Sequence, residues 1–129
     1  MCPASAKRNS ILVVDDDPIF CSIMHELLCR HGYRVRIAFS VAEAIELLDG
    51  WRPDLILTDV MMPDVDGLSL VRTLRSNPGW RRIPTVVVSA RVMDLDRQAA
   101  TDAGADDFLE KPFSFQRLHS MIDGYLAVA

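Results

Sequence analysis

The sequence predicts an α/β domain: a five-stranded parallel sheet, doubly wound, with helices on both faces. Three observations predict it. Five short apolar runs alternate with longer stretches of helical periodicity, always strand before helix. Three of those runs are nearly continuous in Val, Ile and Leu, as strands covered on both faces require. A chain of 129 residues, 50% hydrophobic and 25% charged, suits one domain around one core.

The opening "MCPASAKRNS" has no apolar segment of the secretory kind and reads as a short polar tail over residues 1–9, with the domain running from 10 to 127. "ILVV" (11–14) is the first strand. Asp17 before Pro18 then reads as a helix N-cap, and Phe20, Ile23, Met24, Leu27 and Leu28 recur at helical spacing. "RVRIAF" (34–39) is the second strand; Ser40 and Glu43 make a capping-box pattern ahead of Ala44, Ile45, Leu47 and Leu48. "DLILT" (54–58) is the third, followed by a helix marked by Leu68, Leu70, Val71 and Leu74. "PTVVVS" (84–89) is the fourth; "DLDRQAATDAG" is its helix, with Gly104 placed to end it. "DDFLE" (106–110) is the fifth, and a last helix from about Ser114 carries Phe115, Leu118, Met121, Ile122 and Tyr125.

In such sheets the ligand site lies beyond the carboxyl ends of the strands, near the topological switch point. Those ends carry Asp15, Asp16 and Asp17, then Asp59, then Ser89, then Lys111. Crowded carboxylates raise one another's pKa unless a cation intervenes. A hard divalent ion is the simple remedy, and Mg²⁺ suits a site that leaves places for water and phosphate; Mn²⁺ is expected to substitute. Lys111 and Ser89 add donors for phosphoryl oxygens. The set resembles a phosphoryl-transfer site whose acceptor is an aspartate.

Four motifs make the resemblance specific: "ILVVDDDP", "PDLILTDVMMPDVDG", "IPTVVVSA" and "GADDFLEKPF", in order on five β/α units. From about Asn9 to Leu126 the chain resembles the receiver domain of two-component response regulators, of the chemotaxis-regulator kind. The resemblance implies a flavodoxin-like sheet of order 2-1-3-4-5. It makes Asp59 the phosphorylation site, Asp15 and Asp16 the acidic pair, and the Met61 main-chain carbonyl a further metal ligand beside Asp15, Asp16 and Asp59. Ser89 and Lys111 would bind the phosphoryl group, and Lys111–Pro112 would be a cis bond. Ser89 and Phe108 would form the switch, and Met61 and Arg91 would tune the phosphoryl lifetime. The implied donors are a sensor histidine kinase or a histidine phosphotransfer protein. The implied output is a downstream protein or a fused domain, reached through the face of helix four, strand five and helix five. The domain would catalyse only its own phosphorylation and dephosphorylation.

Other readings fit less well. A haloacid-dehalogenase-type phosphatase would need its acidic motif at a strand end, whereas "DVDG" follows Pro63 in a loop. As a calcium loop "DVDG" has Met62 at the first ligand position and Thr73 at the last. A nucleotide switch would need G-x-x-x-x-G-K-[ST], which is missing from the sequence. A receiver fold serving only as a scaffold would not need the acceptor, acids, hydroxyl and lysine together. Net charge −4 speaks against direct nucleic-acid binding, and no apolar run approaches the ~20 residues of a membrane span, so a cytoplasmic location without membrane contact is expected. Cys21 and Cys29 lie eight apart on one helix, ~12 Å by rise, too far to pair with each other or to share an ion through His25; they are expected as free thiols. "RSNPGWRRIP" reads as a solvated connection, with a docking patch as the alternative.

Overall fold

The structure is a computed structural model that describes residues 9–59, 67–89 and 94–126. Five strands, β1 (Ser10–Val14), β2 (Arg34–Ala38), β3 (Leu55–Asp59), β4 (Thr85–Ser89) and β5 (Asp107–Glu110), alternate with five helices. These are α1 (Pro18–Arg30), α2 (Val41–Leu48), α3 (Gly67–Ser76), α4 (Asp94–Ala103) and α5 (Phe115–Leu126). The sheet is wholly parallel in the order β2-β1-β3-β4-β5, as expected. Every strand end lies within one residue of the span read in the sequence, and Asp59, read as following the third strand, is the last residue of β3. Of the expected tail, only Asn9 lies among the described residues; its carbonyl accepts from the Arg34 amide.

Alternation along the strands divides the core. Ile11, Val13, Leu55, Leu57, Val86 and Val88 face one way and pack on α1 and α5 through Met24, Leu28, Leu118 and Ile122. Leu12, Val14 and Ile56 face the other way, onto Ala44 and Leu48 of α2 and Leu70 and Leu74 of α3. Successive side chains of a strand point to opposite faces, so a strand such as β1, apolar at every position from Ile11 to Val14, can only sit between two helical layers.

Local chemistry sets the helix ends. Asp17 caps α1, its carboxylate accepting from the Ile19 and Phe20 amides, with Pro18 at the first helical position. Ser40 caps α2 by accepting from the Glu43 amide at 3.1 Å. Glu43 does not close the box on Ser40; its carboxylate takes the Phe39 amide at 2.8 Å. That bond turns Phe39 away from the ladder, so β2 stops at Ala38 and Phe39 stands 45% exposed. Gly104 ends α4 with φ +109°, and the Ala105 amide reaches back to the Ala100 carbonyl at 3.0 Å.

Beyond Gly104 an arginine ties the base of the sheet together. Arg75 Nε donates to the Gly104 carbonyl at 2.7 Å, Nη1 to the Arg81 and Ile83 carbonyls, and Nη2 to Asp106 Oδ2 at 2.6 Å. Asp106 Oδ2 also accepts from the Thr85 amide. The Tyr125 hydroxyl joins from α5, 3.0 Å from the Asp106 carbonyl and 3.2 Å from Asp107 Oδ2. Burial first, then the charge of Asp107, pushes the Tyr125 phenol up to about 12. Its neutral form is thus favoured by folding. That contribution is complete below the ordinary phenol value of about 10 and is lost as pH rises from there through about 12. Stability curves of the native protein should therefore fall more steeply between pH 10 and 12 than those of Tyr125→Phe, and parallel curves would contradict the link.

One expectation needs correction. Cys21 is a buried free thiol, but Cys29 is disulfide-bonded. The rise along α1 excludes only the pairing of these two with each other; it left partners elsewhere in the chain unweighed. The partner of Cys29 lies outside the described residues.

Candidate functional site

The chain runs from β1 outward to β2, then returns past β1 to β3. The two crossovers part between β1 and β3, which opens a crevice at their carboxyl ends. Register fixes what stands there. Val14 is level with Thr58, so Asp15 and Asp59 each follow one position later, side by side. Asp59 is level with Val88, which sets Ser89 one step beyond on the next strand, and Ser89 is level with Glu110. Lys111 follows immediately, its amide donating to the Ser89 carbonyl at 2.8 Å.

Asp15, Asp16 and Asp59 each offer a carboxylate oxygen, and these oxygens lie within 4.8 Å of one another. Asp15 and Asp59 are 1% and 7% exposed, whereas Asp16 is open to solvent. Asp15 is held hard in place. Its Oδ1 accepts from the Asp17 amide at 3.0 Å, its Oδ2 accepts from Lys111 Nζ at 2.8 Å, and its own amide donates to the Ala38 carbonyl. Lys111 Nζ is also 3.5 Å from Asp59 Oδ2, so one ammonium braces two buried carboxylates.

Burial by itself would lower the Lys111 pKa; the hydrogen bond and charge of Asp15, with the charge of Asp59, overcome this and raise it. The side chain is therefore a cation throughout the neutral range. Three acids against one cation leave a negative surplus in the crevice, and three oxygen donors open to solvent on the Asp16 side fit a hard dication with remaining water or phosphate ligands.

The structure also supplies a member that the spacing of apolar residues did not reveal. Phe20 on α1 lies under the ammonium, with Lys111 Nζ 3.9 Å from its ring centroid, and packs edge-on against Phe113. The sequence placed Phe20 among the core positions of α1. Its one signal was position, a single turn after the acid run. Beneath the crevice the Cys21 thiol donates to the Asp15 carbonyl at 3.3 Å. Burial, then the charges of Asp15 and Asp17, push that thiol up to about 12, so it stays protonated and serves as a donor.

Of the other expected residues, Ser89 is fully buried at the end of β4. Phe108 is half-buried on β5, packed against the cluster formed by Leu68, Val71, Val87, Ala100 and Ala103. Lys111–Pro112 is cis. Met61 and Arg91 lie outside the described residues.

Fold and crevice together define a class: doubly wound parallel-sheet domains with a lysine-braced acid cluster at the switch point. The chain belongs to the response regulator receiver domain family, which it matches over residues 11–123, and is a phosphorylation-dependent signalling domain of two-component systems rather than a classical enzyme. It is 44% identical over 108 residues to response regulator MprA of Mycobacterium ulcerans (strain Agy99), covering 84% of this chain and 46% of that one. The chain thus spans about half the length of the curated relatives it matches. Among solved structures it is similar to the signal receiver domain of a signal transduction histidine kinase from Syntrophus aciditrophicus, with TM-score 0.86, 34% identity, and coverage of 92% of this chain and 90% of that one. It is likewise similar to the receiver domain of sensor histidine kinase PA1611 from Pseudomonas aeruginosa PAO1, which has a magnesium ion coordinated in its active-site cleft; TM-score is 0.86, identity 30%, and coverage 95% and 100%. No helix among the described residues is long and apolar enough to cross a membrane.

Proposed function

We propose that the domain, residues 10–127, accepts a phosphoryl group onto Asp59 from a phosphohistidine on a sensor histidine kinase or histidine phosphotransfer protein, in the cytoplasm. The observation that carries this reading is the shared ammonium: Lys111 contacts Asp15 and Asp59 at once, in a crevice where register alone brings those acids side by side.

Asp59 is the acceptor because it is the acid at the end of a central strand, buried and positioned, while Asp16 is exposed. Its oxygen bonds to phosphorus as the phosphorus–nitrogen bond to the donor imidazole breaks, with attacking and leaving atoms in line. Lys111 follows charge onto the phosphoryl oxygens, and the Ser89 hydroxyl donates to one of them. Asp15, Asp16, Asp59 and the Met61 carbonyl would hold Mg²⁺, or Mn²⁺ in its place. When bound, the ion neutralises charge between the acceptor and the incoming group. Water returns Asp59 to the free acid, with Met61 and Arg91 limiting its approach.

The added charge of about −1.5 to −2 and its acceptor oxygens draw Ser89 toward the phosphoryl group, opening space on the β5 side. Phe108 has room to respond, since it is only half-buried between β4 and α4. Lacking a hydroxyl, it switches by packing alone. The readout is a change in the face made by α4, β5 and α5, passed to a downstream protein or a fused output domain.

Metal dependence tests the site without any donor. Mg²⁺ at a hundred times its dissociation constant should stabilise the native protein by about 2.7 kcal/mol, read as a rise in Tm. Asp16→Asn, which keeps the shape and removes one ligand charge, should lose most of that rise. An equal Mg²⁺ response in Asp16→Asn and the native protein would overturn the ligand assignment.

A further inference from the structure

At the end of the molecule opposite the crevice, two contacts join separate segments into one surface. The Arg36 guanidinium on the edge strand β2 lies 4.9 Å from the ring centroid of Trp51, in the loop between α2 and β3. The next residue, Arg52, donates from Nη1 to the Gly79 carbonyl at 2.8 Å, which fastens this loop to the one between α3 and β4. Gly79 is followed by Trp80, Arg81 and Arg82. Arg36, Arg52, Arg81 and Arg82 are exposed, and Trp51 and Trp80 are half-buried against a shared core cluster.

Two features of this surface are unusual. The chain has 18 acidic and 14 basic residues, so carboxylates are plentiful. Yet none of these four arginines forms an ion pair among the described residues; Asp54, on the same loop as Arg52, instead accepts from the Ser10 amide. Nor does a helix dipole account for them. Arg52 lies past the end of α2 and Arg81 and Arg82 well past the end of α3, outside the last turns where a cation is stabilised. Arginine and tryptophan are the residue types that carry binding energy at interfaces. Guanidinium forks match carboxylates in pairs, and a half-buried indole offers a rigid apolar edge.

We propose that this surface, Arg36, Trp51, Arg52, Trp80, Arg81 and Arg82, docks an acidic polypeptide segment. Charge complementarity selects that occupant. Four guanidinium groups with no carboxylate partner among the described residues attract a short carboxylate-bearing segment, whose carboxylates match their paired N–H donors and whose apolar side chains can pack on the indoles. Apart from Arg36, at the middle of β2, the surface stands at the amino ends of the strands, away from Asp59, so a partner there leaves the crevice open.

Both tryptophans of the chain belong to the surface, which makes intrinsic fluorescence a direct reporter. The probe is a tryptophan-free peptide of eight glutamates flanking one phenylalanine, titrated into the full chain at low salt. A saturable fluorescence change is expected, weakening with added salt and at least about tenfold weaker in the double variant Arg81→Glu, Arg82→Glu. Neither side chain is hydrogen-bonded or ion-paired among the described residues, so the variant should keep native Tm and native labelling by a phosphodonor, separating loss of docking from loss of fold or of the crevice. No saturable change, or equal affinity in the variant, overturns the proposal. Tighter binding of a single-stranded oligonucleotide than of the peptide overturns the choice of polypeptide. Self-association that vanishes in the double variant overturns it in favour of a second copy.

Discussion

Asp59→Asn should cut phosphoryl incorporation from a labelled small-molecule donor by more than ~10³-fold while leaving the protein folded. The change keeps the side chain's shape and removes only its charge and nucleophilicity. Stability should not suffer. Lys111 contacts two of the three clustered carboxylates, and Asp59 is the more distant of the two, at 3.5 Å against 2.8 Å for Asp15. Deleting its charge relieves repulsion with Asp15 and Asp16 and leaves the short Lys111–Asp15 pair intact. A Tm equal to or above the native value, together with lost labelling, separates chemistry from folding. Native-level incorporation would remove Asp59 as the acceptor. Lys111→Ala should lose ~10²–10³-fold in the same assay, but with a fall in Tm, because it strands the buried Asp15 carboxylate.

Gly104→Ala should be among the most destabilising single-methyl changes available in this chain. Gly104 holds φ +109°, a conformation costing an L residue ~1–2 kcal/mol. A Cβ there would stand 2.6 Å from Arg75 Cγ, closer than atoms can approach. Arg75 cannot simply move aside, since it donates to Gly104, Arg81, Ile83 and Asp106. Losing one or two of those charged bonds adds ~1.5–3 kcal/mol each. Together these suggest ~3 kcal/mol or more and a Tm lower by roughly 10 °C, measured by calorimetry. Gly124→Ala is the control: Gly124 lies within α5 with nothing near its missing Cβ, so alanine should stabilise by ~0.5–1 kcal/mol. Equal effects at the two glycines would show that backbone conformation and the arginine tie are not what Gly104 serves.

β1, β3 and β4 were legible because each is a nearly continuous apolar run, and strands buried on both faces leave little other composition. The crevice was legible for a related reason. Parallel strands end at the same side, so acids that follow apolar runs must gather there, as Asp15 and Asp59 do. What escaped depends on pairings that no period records. Arg75 and Asp106, Lys111 and Phe20, and Tyr125 and Asp107 are each far apart in sequence and meet only because the sheet order brings their elements together. The end of β2 was misplaced by one residue because Phe39 suits a strand by type, while its amide is claimed by Glu43.

The account rests on Asp59 carrying the phosphoryl group. Borohydride reduces an acyl phosphate to an alcohol, so trapping after donor treatment, followed by peptide mass mapping, marks the residue that was esterified. Homoserine at position 59, formed only when Mg²⁺ accompanies the donor, is the predicted result. Homoserine at another aspartate, or the same yield at position 59 with the metal chelated, would contradict it.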